Sequence, residues 1–222
     1  IREMIKFHNI LFDLDGTLTD PVIGITKSVQ YSLEKLGITE PNTEKLIGFI
    51  GPPLWESYKR YYGFDDSKSN LAVRYYREYF GAKGIFENVP YDGIEDILSK
   101  LNVKKRNVFI ATSKPAVYSR RIAEHFDMTK YFVSIEGSEL DGRLSNKVEL
   151  IKHIMEKYNI NQEETIMIGD REHDIIGAKN NGIQSIGVGY GYGTKEELKK
   201  AGATYYVESV NELKMLLMNE DA

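Results

Sequence analysis

The chain has no cysteine among its 222 residues. That absence excludes disulfides, thiolate nucleophiles and cysteine-based metal sites together. Long apolar runs are also missing. The hydrophobic stretches last a few residues each, far short of a membrane span. The opening IREMIKFHNI lacks the apolar core of a secretory leader, so the expected compartment is the cytoplasm. No sign of charge dominates. The 29 Lys and Arg are intermixed with 33 Asp and Glu, for a net charge of −4. That balance carries no basic footprint for nucleic acid and no patch for a membrane surface. No internal repeat, low-complexity tract or P-loop pattern occurs. Gly187–Gly193 (GVGYGYG) is glycine-rich without the dinucleotide spacing.

What is present is an ordinary globular composition, 41% hydrophobic and 28% charged, long enough to bury a sizeable core. Short apolar runs read as buried strands at Asn9–Phe12, Asn107–Ala111, Phe132–Ile135, Thr165–Ile168, Gln184–Val188 and Thr204–Val207. Helical spacing links Ile25, Val29, Leu33 and Leu36. It recurs at Ile94, Ile97, Leu98 and Leu101, at Val148, Ile151, Ile154, Met155 and Tyr158, and at Val210, Leu213, Leu216 and Leu217. Strands alternating with helices predict an α/β fold with a parallel sheet and helices on both faces. From about Pro21 to Gly84 no strand is expected. Helical patterns there are broken by Gly and Pro and are rich in Tyr, which predicts an all-helical insert after the first strand. The expected division is a core of 1–20 and 84–222 around an insert of 21–83.

Four places carry chemistry. Asp13-Leu14-Asp15-Gly16 ends the first strand. Residues two apart on an extended segment point the same way, so Asp13 and Asp15 share a small space. Paired carboxylates repel and call for a cation or a shared proton. Alone, the same residues also suit a turn with solvated acids. Gly169-Asp170 and Asp174 follow the strand at Thr165–Ile168. If a helix begins there, Asp170 and Asp174 lie on one face, although acids at a helix start also serve as caps. Thr112 and Ser113 end the strand at Asn107–Ala111 with Pro115 behind them, a helix-start anion site or a plain N-cap. Lys147 sits in a first helical turn between Asn146 and Glu149, which resemble a capping box. A cation there opposes the helix dipole, so a functional reason is attractive. Gathered at one site, the acids bind a hard cation through oxygen, and Thr112 and Lys147 hold a phosphate. A carboxylate is then left for in-line attack.

These residues resemble the motifs of the haloacid dehalogenase superfamily. DxDGT stands at Asp13–Thr17, the strand-ending hydroxyl at Thr112, the helix-start lysine at Lys147, and GDxxxD at Gly169–Asp174. The resemblance implies a Rossmann-like core with a helical cap inserted after the first strand, as in the phosphoglycolate phosphatase, 5′-nucleotidase and β-phosphoglucomutase branch. It implies a Mg²⁺-dependent phosphatase acting on a small phosphomonoester through an aspartyl-phosphate. Asp13 would be nucleophile and metal ligand. Asp15 would be acid/base and a ligand through its carbonyl. Asp170 would be a ligand and Asp174 a support. Thr112 and Lys147 would contact the phosphoryl oxygens, as would Ser113 and the Gly16 N–H. A phosphomutase remains an alternative, as does a phospho-accepting module without turnover. Neither nucleic acid nor membrane is an expected partner. Monomer is the default, with a dimer left open. His173 reads as a loop residue, and His8, His125 and His153 show no ligand spacing. Lys59, Arg60, Arg74 and Arg77 read as solvated faces.

Overall fold

The computed structural model describes residues 7–218. The opening residues read for a leader, and the outer limits of the expected core, lie outside the described residues. In chain order β1 (Asn9–Phe12) is followed by α1 (Val22–Lys35), α2 (Leu54–Tyr62) and α3 (Asp66–Ala82). Then come α4 (Ile94–Val103), β2 (Asn107–Pro115), α5 (Ala116–His125), β3 (Ser134–Ser138) and α6 (Lys147–Tyr158). The chain continues through β4 (Thr165–Gly169), α7 (Glu172–Asn180), β5 (Gln184–Val188), α8 (Lys195–Ala201), β6 (Tyr205–Val207) and α9 (Val210–Met218). Two units emerge. One holds the residues up to Thr19 together with those from Pro90 onward, and the other is Asp20–Val89.

The first unit is an α/β layer structure. Its six strands are parallel in the order β3-β2-β1-β4-β5-β6. The chain lays strands outward from β1 in one direction, then returns to lay β4 and its successors in the other. The switch falls between β1 and β4, and α/β sheets open their ligand crevice at such a point, beyond the carboxyl ends of the strands. Leu11, Phe109, Ala111 and Met167 of the central strands pack with Leu150, Ile151 and Ile154 of α6 and Ala178 of α7. Helix α4, with Ile94, Ile97, Leu98 and Leu101 all buried, packs on β2 away from that cluster. With both faces covered, the central strands β1 and β4 carry consecutive apolar residues instead of alternating ones.

The second unit is helical. Ile25, Val29 and Leu33 of α1, Tyr58 of α2, and Ala72, Val73, Tyr76 and Phe80 of α3 form its core with Leu46, Phe49 and Phe64. Aromatic contacts bind it, Phe49 edge-on to Tyr58 at 5.0 Å and Tyr58 stacked on Phe64 at 5.9 Å. Asp65 caps α3 by accepting from the Lys68 N–H at 2.8 Å. Lys59 pairs with Asp66 and lies over the Trp55 ring.

Two strands differ from the sequence expectation by more than one residue at a boundary. β2 runs four residues beyond Ala111, with a register shift between Thr112 and Pro115. Its last residues turn polar because they leave the core, so hydrophobicity marks the strand's end too early. The strand expected at Phe132–Ile135 instead spans Ser134–Ser138. There a buried carboxylate, Glu136, breaks the apolar pattern. It accepts from Ser134 Oγ at 2.6 Å, Lys157 Nζ at 2.8 Å and Tyr158 Oη at 2.7 Å. Burial alone would raise its pKa, but these donors hold it down at about 2.

Candidate active site

Asp13 is the first residue beyond β1. Its N–H donates to Ile168 O of β4 at 2.9 Å, which locks the backbone beside the neighbouring strand end. Register does the rest. Phe12 is level with Ile110 on one side and Ile168 on the other. The residues that follow these three, Asp13, Ala111-Thr112 and Gly169-Asp170, therefore emerge at one height.

Lys147 opens α6, whose start is capped by Asn146 accepting from the Val148 N–H at 2.8 Å. The ammonium reaches back over the strand ends. It donates to Asp13 Oδ1 at 2.8 Å and Ala111 O at 2.6 Å, and forms an ion pair with Asp174 Oδ1 at 2.6 Å. Burial pulls the ammonium toward neutrality, but Asp13 and Asp174 outweigh it and its pKa is raised. A cation that opposes the helix dipole is thus held by two carboxylates and a carbonyl.

Asp170 directly follows β4 and is fully buried. Its Oδ2 accepts from the Tyr192 N–H at 2.7 Å, whereas its Oδ1 is buried with no hydrogen-bond partner. Burial first, then Asp13 and Asp174, push its carboxyl well above the usual range. Helix α7 begins at Glu172, so Asp170 lies before the helix and does not share a helical face with Asp174. The two acids converge because a strand end and a first turn abut. Asp174 Oδ2 accepts from the Arg171 N–H at 3.1 Å. Glu197 of α8 holds the same turn, accepting from Arg171 Nε and the Glu172 N–H, each at 2.9 Å. Burial raises the Asp174 pKa against the pull of Lys147.

Asp13, Asp170 and Asp174 each present one oxygen within 4.8 Å of the others. Around Mg²⁺ at about 2.1 Å, ligand oxygens stand roughly 3–4 Å apart, so this donor set fits a hard divalent cation. The unpartnered Asp170 Oδ1 says the same, since a buried carboxylate oxygen without a partner is costly. Asp174 already spends both oxygens on protein groups, which leaves Asp13 and Asp170 as the more available ligands. The Asp15 carboxylate is outside this trio. Its Oδ2 pairs with Lys114 Nζ at 2.9 Å, and burial pushes its carboxyl up against the pull of Lys114.

The remaining expected residues are close by. Thr112 is buried, and its Oγ1 accepts from the Lys114 N–H at 3.2 Å. The Ser113 carbonyl accepts from Ser138 Oγ at 2.9 Å. Gly16 takes φ +80°, and a Cβ there would run into the Asp170 carboxylate. Its N–H donates to Thr19 O at 2.8 Å and closes the turn, so the phosphate contact expected of that N–H is already spent.

Two features escaped the sequence reading. The sequence marks no role for Lys114, a polar residue just past an apolar run. The GVGYGYG segment was set aside for lacking a nucleotide motif, yet it wraps Asp170. A Cβ at Gly191 would strike Gly16 O and the Asp170 side chain, and one at Gly193 would strike Asp170 O. Tyr190 Oη donates to Thr17 O at 3.0 Å. Repeated glycine beside an acidic strand end was the available signal. We expect Gly191→Ala to displace Asp170, costing about 1–3 kcal/mol of stability and raising the Mg²⁺ concentration needed for half-maximal turnover. A thermal melt and a Mg²⁺ titration check this. An unchanged titration would show that the loop yields without moving the acid.

Comparisons with known proteins bear on the family and the fold. A family model described as haloacid dehalogenase-like hydrolase matches residues 10–188. A 5′-nucleotidase of Pseudomonas aeruginosa is 46% identical over 96% of each chain. A tyrosine-protein kinase PtkA of Mycobacterium tuberculosis is 34% identical, over 94% of this chain and 72% of that one. Among solved structures, a predicted phosphatase from Clostridium acetobutylicum superposes with TM-score 0.94 at 52% identity, over 96% of this chain and 99% of that one.

Proposed function

This chain belongs to the haloacid dehalogenase-like hydrolases, and from that premise we propose that it is a Mg²⁺-dependent phosphatase. Its substrate is a small phosphomonoester, a nucleoside 5′-monophosphate or a compound like phosphoglycolate. The observation that carries the reading is Asp13: a buried carboxylate held by Lys147, beside Asp170, with Asp15 two residues on. The similarity to a 5′-nucleotidase supports the nucleotide end of that range.

Asp13, Asp170 and the Asp15 carbonyl are the groups that would hold Mg²⁺, and the ion would supply positive charge against the phosphoryl oxygens. Phosphoryl transfer depends on positioning and charge far more than on covalent assistance. Two like charges 4 Å apart repel by about 1 kcal/mol in water and several times that near protein. Lys147 relieves part of that repulsion from the protein's side. The Asp13 carboxylate attacks phosphorus, and Asp15 gives its proton to the departing oxygen. Asp15 then takes a proton from the water that hydrolyses the aspartyl-phosphate. Thr112, Ser113 and Lys147 are the residues assigned to the phosphoryl oxygens, and Asp174 is assigned to orient Lys147. This reading gives the chemistry to the α/β unit.

The test is a panel of metabolite phosphates with Mg²⁺, read by phosphate release. At least one nucleoside monophosphate or phosphoglycolate should turn over, and EDTA should stop it. Conversion of glucose 1-phosphate to the 6-phosphate without phosphate release would point to a mutase. A stable phospho-aspartate without release would point to a binding module.

A further inference from the structure

Asp15 is held by one oxygen only. Its Oδ2 pairs with Lys114 Nζ at 2.9 Å, and the two side chains are 9% and 7% exposed, so solvent screens the pair little. Its Oδ1 is buried and has no hydrogen-bond partner. A carboxylate oxygen that accepts from an ammonium is a poorer proton acceptor than one left open, and a carboxylate with neither oxygen engaged is free to turn. Here the two tasks are divided between its atoms. Lys114 stands on the polar extension of β2, and its N–H also bonds Thr112 Oγ1 at 3.2 Å. That bond ties the lysine's backbone to the same strand end that carries the expected phosphate contact.

We propose that Lys114 is a positioning residue that anchors Asp15 through Oδ2 so that Oδ1 exchanges the proton. The inference rests on the hydrolase reading above. In the first half-reaction the bond from phosphorus to the leaving oxygen breaks as the bond from phosphorus to Asp13 forms. The Oδ1 proton moves to the leaving oxygen, and Lys114 receives the newly ionised carboxylate. In the second, water attacks phosphorus, its proton goes to Oδ1, and the Asp13–phosphorus bond breaks to release phosphate. Lys114 therefore serves Asp15 in both half-reactions, as acid toward the leaving oxygen and as base toward water.

Leaving-group dependence separates this role from a merely structural one. p-Nitrophenolate departs without a proton, whereas an alkoxide does not. In Lys114→Met the first step with p-nitrophenyl phosphate should stay fast while hydrolysis of the aspartyl-phosphate slows. Rapid mixing should then show a stoichiometric burst of p-nitrophenol that the wild type lacks. Steady turnover should fall about 10²-fold, the low end for loss of general acid–base assistance. An alkyl phosphate should suffer a larger loss and show no burst. Lys114→Arg, which keeps the cation, should recover part of the rate and remove the burst. Should Lys114→Met not fold, Lys114→Gln carries the same test. Equal losses on both substrates without a burst, or a rise in KM alone, would overturn the assignment. If the wild type itself fails to release phosphate from any substrate, the hydrolase reading falls, and this inference with it. Wild-type turnover with a burst-free Lys114→Met defeats the inference alone.

Discussion

Asp13→Asn is expected to abolish release of p-nitrophenol from p-nitrophenyl phosphate with Mg²⁺, by about 10⁴-fold or more, the scale of losing a catalytic nucleophile. The substitution keeps size and shape, so the core beneath should not change. What it removes is specific. The amide is no nucleophile, and it no longer offers Lys147 a full charge across the 2.8 Å contact. Lys147 keeps Asp174 and Ala111 O, so it is not stranded in the interior. The protein should therefore fold, melt cooperatively and fail to turn over. A folded Asn variant with even a tenth of wild-type activity would mean that Asp13 is not the attacking group. The covalent reading would then have to be abandoned.

Asp170→Asn should separate stability from activity. Among the described residues, four buried carboxylates, Asp13, Asp15, Asp170 and Asp174, face the ammonium groups of Lys147 and of Lys114, whose side chain is 7% exposed. Arg171 is close, but its guanidinium engages Glu197. Without a cation the site is strained by like charge, and Asp170 carries the plainest sign of it. Burial and two neighbouring acids push its carboxyl up, and one oxygen is left without a partner. Removing that charge should raise the melting temperature of the metal-free protein. It should also remove the stabilisation that the ion confers. Mg²⁺ at a hundred times its dissociation constant should add about 2.7 kcal/mol to the wild type. That is roughly 5–10 °C for a chain of this size. The Asn variant should show little of this shift and little turnover. Melting with and without Mg²⁺ reads the outcome independently of activity. A variant that keeps the full Mg²⁺ shift would take Asp170 out of the ligand set.

Much of the architecture could be read along the chain because the sheet is covered on both faces. β1 and β4 each show three consecutive apolar residues after one polar residue, and their ends coincide with where polar chemistry starts. The helices at Ile94 and Val148 show their buried faces at helical spacing. Helices α5 and α8 were harder to see. They are short and mostly polar, and few of their residues are buried, so periodicity has little to work on. β3 was displaced in the reading because Glu136 is buried and satisfied by donors that are distant in sequence. A hydrophobicity pattern counts such a residue as surface.

Asp13, Asp15, Thr112, Lys147, Asp170 and Asp174 were determined as candidates by the sequence alone, since each stands at a strand end or in a first helical turn. In a parallel sheet, such positions gather at one edge. Three-dimensional packing alone decided how the charges are shared among them. Lys147 took Asp13 and Asp174, Lys114 took Asp15, and the Gly191–Gly193 backbone closed on Asp170. The physical reason is that ion pairing and backbone approach depend on separations of a few ångströms between segments scores of residues apart. Local residue order carries no record of those separations.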